Sequence, residues 1–252
     1  MMKRLIPTLL LFLLILNVSA QNGKAILQKA NEAYTNGKYT EAIQDYKQIL
    51  SQKMQSAELY YNLGNAYYKT ADYTHAIINY ERAKLLAPGD NDIQFNLKLA
   101  NQHVVDAIQP LPQLFLFHWW NELTNLMTVD SWATLSIISF ILLLLLAAAF
   151  FFTGRAPVKR ISFWLGLLMI VISIFSFNFA ARQKSRQTRH NYAIVTQPSI
   201  TVKSSPSGSG TKLFLIHEGL KVQLKDSLGS WKEIQMADGN QGWLPDSAIV
   251  RI

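Results

Sequence analysis

Cysteine is absent from the 252 residues. No disulfide can therefore brace the fold, and no thiolate is available as nucleophile or metal ligand. The five histidines, His75, His103, His118, His190 and His217, are scattered over different segments. None forms a His-x-x-x-His pair, so no metal site is indicated. A glycine-rich phosphate loop, a Gly-x-Ser-x-Gly elbow and a framed carboxylate pair are missing as well. The sequence thus predicts a protein that is not an enzyme and needs no cofactor.

Charge is missing in three places: Leu5 to Val18, Trp132 to Phe152 and Ile161 to Ala181. The first run follows Lys3 and Arg4, is about 14 residues long and ends in Val18-Ser19-Ala20, the pattern of a secretory signal peptide over residues 1–20 cut after Ala20. The other two, residues 132–152 and 161–181, are each long enough to cross a hydrocarbon core of roughly 30 Å. They read as a transmembrane hairpin, with residues 153–160 as a cytoplasmic loop carrying Arg155, Lys159 and Arg160. An equally basic stretch, residues 182–190, follows the second run, so the charge rule alone is split. Export of the N-terminal region decides the orientation: two spans in a bacterial inner membrane, with the flanking domains in the periplasm. The basic stretch is read as a solvated linker rather than a site for lipid headgroups.

The net charge of +8 is unevenly placed: residues 131–190 carry seven basic and no acidic side chains, whereas residues 21–130 carry nine basic and eleven acidic ones. The excess belongs to membrane flanks, and nucleic acid, which needs a basic face on a folded domain, is excluded as a partner.

Within residues 21–108 a shift of 34 aligns Tyr34 with Tyr68, Tyr39 with Tyr73, Ala42 with Ala76, Ile43 with Ile77 and Tyr46 with Tyr80. In residues 57–90 the series Tyr60, Leu63, Gly64, Tyr67, Ala76, Tyr80, Ala83 and Pro88 resembles the tetratricopeptide repeat family. Residues 23–56 form a weaker copy, with Lys29, Ala30 and Ala33 where the leucine, glycine and tyrosine stand. The resemblance implies antiparallel helix pairs that meet at Gly64 and Ala76, with turns at Asn36-Gly37-Lys38 and Ala71-Asp72-Tyr73. A further helix from Asp92 to about Ile108 is expected to cap the stack. It also implies a concave groove for a protein partner, carried over by position to Asn31 and Asn65, with Leu27, Tyr34, Glu58, Tyr61, Tyr68 and Lys69 around them. Leu27 and Asp92 occupy the places of basic residues that grip a C-terminal carboxylate elsewhere in the family, which disfavours that mode. Tyr67, Tyr73 and Tyr80 are expected to pack between helices.

Residues 109–131 hold two prolines and the aromatic cluster Phe115, Phe117, Trp119 and Trp120. Such residues favour the membrane interface, and the segment is expected to lie on membrane lipid. From residue 191 to 252, short alternating runs are punctuated by turn residues, the signature of a small all-β barrel. Val202-Lys203-Ser204-Ser205-Pro206, His217-Glu218-Gly219, Ser230-Trp231 and Gly242-Trp243-Leu244 resemble bacterial SH3-like domains. Ser204 stands where an arginine is usual, and Trp231 and Trp243 are expected in the core.

The fold class expected is a multidomain membrane protein: all-α tetratricopeptide repeats, a two-helix transmembrane hairpin and a small all-β SH3-like barrel. That order resembles the BatE family of aerotolerance-operon proteins. The resemblance implies a non-enzymatic scaffold in an envelope stress complex, with von Willebrand A-domain membrane proteins as partners. The alternative is a cell-wall-binding module that contacts peptidoglycan and recruits a peptidoglycan-acting partner through its repeats.

Overall fold

The computed structural model describes residues 23–252 apart from residues 110 and 113. The expected signal peptide lies outside the described residues. Helix α1 covers residues 23–35; α2 (Tyr39–Ser51), α3 (Ala57–Lys69), α4 (Tyr73–Leu86) and α5 (Asn91–Asn101) complete the first part. Two longer helices, α7 (Val129–Phe152) and α8 (Ala156–Arg189), follow a short one, α6 (Phe115–Asn125). The chain ends in seven strands: β1 (Tyr192–Val195), β2 (Ser199–Lys203), β3 (Lys212–His217), β4 (Lys221–Leu228), β5 (Trp231–Gln235), β6 (Gln241–Pro245) and β7 (Ile249–Arg251).

Local chemistry sets the helix ends. Ser56 accepts the backbone N–H of Leu59, Asp72 that of His75, and Asp90 those of Asp92 and Ile93, each satisfying donors that the first turn leaves unpaired. The turns between α1 and α2 and between α3 and α4 both need a left-handed residue: Gly37 at φ 76° and, one period later, Ala71 at φ 61°. Glycine adopts that conformation freely, whereas alanine does so at a cost of roughly 1 kcal/mol. The helices then pack through small residues, with Ala30, Ala42, Ala66, Ala76 and Ala83 fully buried. At Gly64 an added Cβ would stand 2.7 Å from the ring of Tyr80, so the closeness of α3 and α4 depends on that glycine. The last helix of this part, α5, is shorter than the sequence suggests: it ends at Asn101 rather than near Ile108.

The apolar helices also differ from their expected bounds. A threonine cap at Thr128 starts α7 three residues before the uncharged run, and α8 extends from Ala156 through Arg189. Residues 182–190 are therefore no linker, because Ala-Arg-Gln-Lys-Ser-Arg-Gln favours the helix and continues it until His190 turns left-handed at φ 43°. Both helices are long and apolar enough to cross a membrane. Between them Ser136 donates to the carbonyl of Ser173 at 3.1 Å and Ser173 back to the carbonyl of Ser136 at 3.3 Å. Buried Ser139, Ser162, Gly166 and Ser176 let the backbones approach. The aromatic segment is helical: α6 packs across α8, with Trp120 5.1 Å from the ring of Phe179, and the indole N–H of Trp132 donates to the carbonyl of Thr124 at 2.9 Å.

The strands form one antiparallel sheet in the order β3-β2-β6-β5-β4-β1-β7. Val202 and Ile216, from one end of that order, and Ala193, Val195 and Ile249, from the other, belong to one buried cluster. A flat sheet of strands about 4.8 Å apart could not bring them together, so the sheet curls around its own core. Trp231 and Trp243 are half-buried rather than central; the ammonium of Lys203 lies 5.5 Å over the Trp231 ring.

The sheet packs on the repeats. Ile194 and Ile252 are buried with Ile77, and a Cβ at Gly219 would stand 2.8 Å from Val104. Around this apolar contact Lys221 donates to Glu81 at 2.6 Å, Thr74 to Glu218 at 3.1 Å, and the backbone N–H of His217 to Asp106 at 2.6 Å.

Candidate partner-binding groove

The odd-numbered repeat helices α1, α3 and α5 stand side by side, joined by a polar ladder with the 34-residue period of the sequence. Asn31 Oδ1 accepts from Tyr46 Oη at 2.7 Å and from Asn62 Nδ2 at 3.3 Å. One repeat later Asn65 Oδ1 accepts from Tyr80 Oη at 2.7 Å and from Asn96 Nδ2 at 2.9 Å. The Asn96 amide also donates to Tyr61 Oη at 2.9 Å. Tyr46 and Tyr80 are each 1% exposed, and a buried hydroxyl needs a partner. The two asparagines expected to grip a partner's backbone thus supply that partner, and their acceptor oxygens are used inside the protein. Among the described residues neither Nδ2 donates to an acceptor, so the donor end of each amide is the part an incoming carbonyl would meet.

The remaining groove residues gather around the same ladder. Burial pushes the Tyr46 phenol up to about 12, with the phenol of Tyr34 and the carboxylate of Glu58 adding to it. Burial likewise raises Tyr80, helped by Tyr61, Tyr34 and Tyr68. Burial also raises Tyr34, with smaller contributions from Tyr39 and Tyr61. Tyr61 packs against Tyr80 with ring centroids 6.0 Å apart, and its hydroxyl accepts from the Asn96 amide. Glu58 and Lys69 are exposed at opposite ends of α3, and Leu27, Tyr34, Tyr61 and Tyr68 are half-buried. Tyr34 packs edge-on against Tyr39 with ring centroids 5.4 Å apart, and Tyr68 does the same against Tyr73, which stacks on His103 at 3.7 Å. A depression of about 420 Å³ opens on α1 beside Leu27 and Asn31.

Phe95, Asn62 and Asn96 were not singled out by the sequence as groove residues. Phe95 lies one period after Tyr61 and two after Leu27, and it is 67% exposed. Leu27, Tyr61 and Phe95 therefore run as one apolar column over the three helices. The signal that finds it is the 34-residue period carried into α5, and the same period relates Asn62 to Asn96.

Of the aromatic cluster before α7, Phe115, Phe117 and Trp119 are exposed. Trp120 is not with them; it is half-buried against Phe175 and Phe179 and serves helix packing. No group of three or more metal-binding side chains occurs among the described residues.

Comparison with protein families places residues 30–70 in a match to the TPR repeat and residues 57–90 in a match to the tetratricopeptide repeat. A search of curated proteins gives no match to the chain. Residues 30–90 are built of tetratricopeptide repeats, the helix hairpins with which interaction scaffolds hold other proteins.

Proposed function

We propose that this chain is a membrane-anchored scaffold whose repeats hold a segment of a partner protein along the Leu27–Tyr61–Phe95 column. The observation that carries the reading is Phe95: a phenylalanine 67% exposed on a helix of a repeat array, continuing an apolar column. An extended or helical peptide would cover it, meet the donor ends of Asn31 and Asn65, and place charged groups near Glu58 and Lys69.

Helices α7 and α8 would cross the membrane, with Phe115, Phe117 and Trp119 at the interface on the side of the repeats and the sheet. We place that side in the periplasm, on the basic loop at Arg155, Lys159 and Arg160 and the signal peptide expected from the sequence. The curled seven-stranded sheet suits an SH3-like fold, and the order of parts suits the BatE family, whose von Willebrand A-domain proteins are then the natural partners. Because the sheet packs on α4, it would stiffen the repeats rather than swing as an independent second arm.

The test is a cross-linked pull-down from native membranes with the full chain, Tyr61→Ala/Phe95→Ala and a surface control, Lys47→Ala. The double variant should lose most of the recovered partner and the control none of it. Equal recovery by all three would defeat the groove reading, and recovery of peptidoglycan in place of protein would favour a cell-wall module.

A further inference from the structure

The basic residues after the second apolar run are better organised than a linker would leave them. Arg182, Arg186 and Arg189 fall at i, i+4 and i+7 of α8, which puts them on one stripe of the helix, with Lys184 off it. All three line an open cavity of about 530 Å³ bounded by α6, α8, the end of α4 and the sheet. Asn121 and Asn125 of α6 form one wall, and Tyr192 and Lys221 of the sheet another. No lining side chain is acidic. Lys221 is already paired with Glu81, whereas among the described residues none of the three arginines forms a salt bridge.

One guanidinium is held in place. Arg186 donates through Nη2 to Asn121 Oδ1 at 2.7 Å and through Nη1 to Asn125 Oδ1 at 3.4 Å. The asparagines fix its plane without neutralising it, as the fork-shaped recognition of a phosphate requires. Three exposed arginines lining one cavity without a counter-charge repel one another, and an anion between them would offset that repulsion.

The position selects the source of the anion. Arg182 is the first residue after the uncharged run 161–181, so on the membrane-spanning reading above, on which this inference rests, it marks the edge of the hydrocarbon. Seven residues of helix raise Arg189 about 10 Å further, and the headgroup layer of one leaflet is roughly 5 to 8 Å thick. The stripe therefore spans the depth at which lipid phosphates lie. Trp120 packs on Phe175 and Phe179 at the end of the same run, so α6 sits at this level too.

We propose that this cavity binds the phosphate of an anionic phospholipid headgroup, with Arg182, Arg186 and Arg189 as its donors. Such a lipid ties α8, α6 and the sheet together and fixes the height of the repeats above the bilayer.

The test uses the delipidated full chain in a non-ionic detergent, titrated with phosphatidylglycerol, with phosphatidylcholine and with inorganic phosphate, and read by native mass spectrometry. Arg182→Gln/Arg189→Gln should weaken phosphatidylglycerol binding at least about tenfold, since each charge-assisted hydrogen bond is worth about a factor of ten or more. Lys184→Gln should leave it unchanged, and phosphatidylcholine should bind weakly to every form. Arg182→Lys/Arg189→Lys should fall in between, because it keeps the charge but loses the fork. Undiminished phosphatidylglycerol binding by the glutamine variant would overturn the proposal, as would inorganic phosphate binding as tightly as the lipid. Alkaline carbonate extraction separates the two readings. Release of the chain from membranes would sink the membrane anchor and the lipid site together; retention with undiminished binding would sink the lipid site alone.

Discussion

Replacing Gly64 by alanine tests how the repeats are built. The new Cβ would lie 2.7 Å from both Cδ1 and Cε1 of Tyr80 and 3.3 Å from its Cγ, where carbon atoms normally stand 3.5 to 4.0 Å apart. The ring cannot easily retreat: Tyr80 is 1% exposed, packs against Tyr61 and holds Asn65 through its hydroxyl at 2.7 Å. Overpacking of this kind costs about 1 to 3 kcal/mol, and loss of the tyrosine hydrogen bond would add about 1 kcal/mol. Against this stands the helix preference of alanine over glycine, about 1 kcal/mol. The expected net effect is a destabilisation of about 1 to 3 kcal/mol. For a helical region of this size that lowers the midpoint by at least about 4 °C. Thermal unfolding of the full chain in detergent, followed by circular dichroism, measures it. In a Tyr80→Leu background the clash is relieved, and the same alanine should cost less than half as much. A Gly64→Ala variant as stable as the parent would refute the argued role of the glycine.

The other predictions concern charge, docking and topology. Tyr46, raised to about 12, and Tyr80, also raised, stay protonated in the fold beyond the usual tyrosine value near 10. Their contribution to stability is complete below about pH 10 and is lost as pH rises through the folded values, so the helices should melt on alkaline titration. Absorbance of tyrosinate would report it, and Tyr46→Phe/Tyr80→Phe should flatten the dependence. Lys221→Met leaves Glu81, 6% exposed, without its partner. Such a break costs about 3 kcal/mol and should loosen the sheet from α4, seen as faster proteolysis near residue 190; Glu81→Leu added to it should restore resistance. Because cysteine is absent and neither Gly154 nor Gly208 has neighbours within 4 Å of an added Cβ, single cysteines fit at both places. An impermeant maleimide applied from the periplasmic side should label Gly208→Cys and leave Gly154→Cys unlabelled.

The 34-residue period exposed the helix pairs because repetition of small and aromatic residues reports packing directly, and alternation exposed the strands for the same reason. What lay hidden depends on groups whose type does not reveal their use. Thr74, Glu81, Asp106 and Lys221 read as ordinary surface residues, yet they seat the sheet on the repeats. Charge alone marks residues 182–190 as a linker, although their helix preference carries α8 onward. Asn31 and Asn65 have the chemistry of ligand-binding amides, and the same chemistry serves to satisfy Tyr46 and Tyr80. Phe95 was legible through the period, but only its exposure separates a groove residue from a cap.

The central claim, a protein partner lying over α1, α3 and α5, is tested most directly by single-cysteine photocross-linking in this cysteine-free chain. A thiol-attached cross-linker at Phe95→Cys should capture one defined protein in native membranes, and the same group at Lys47→Cys on α2 should not. Equal capture at both positions, or none at Phe95→Cys, would contradict it.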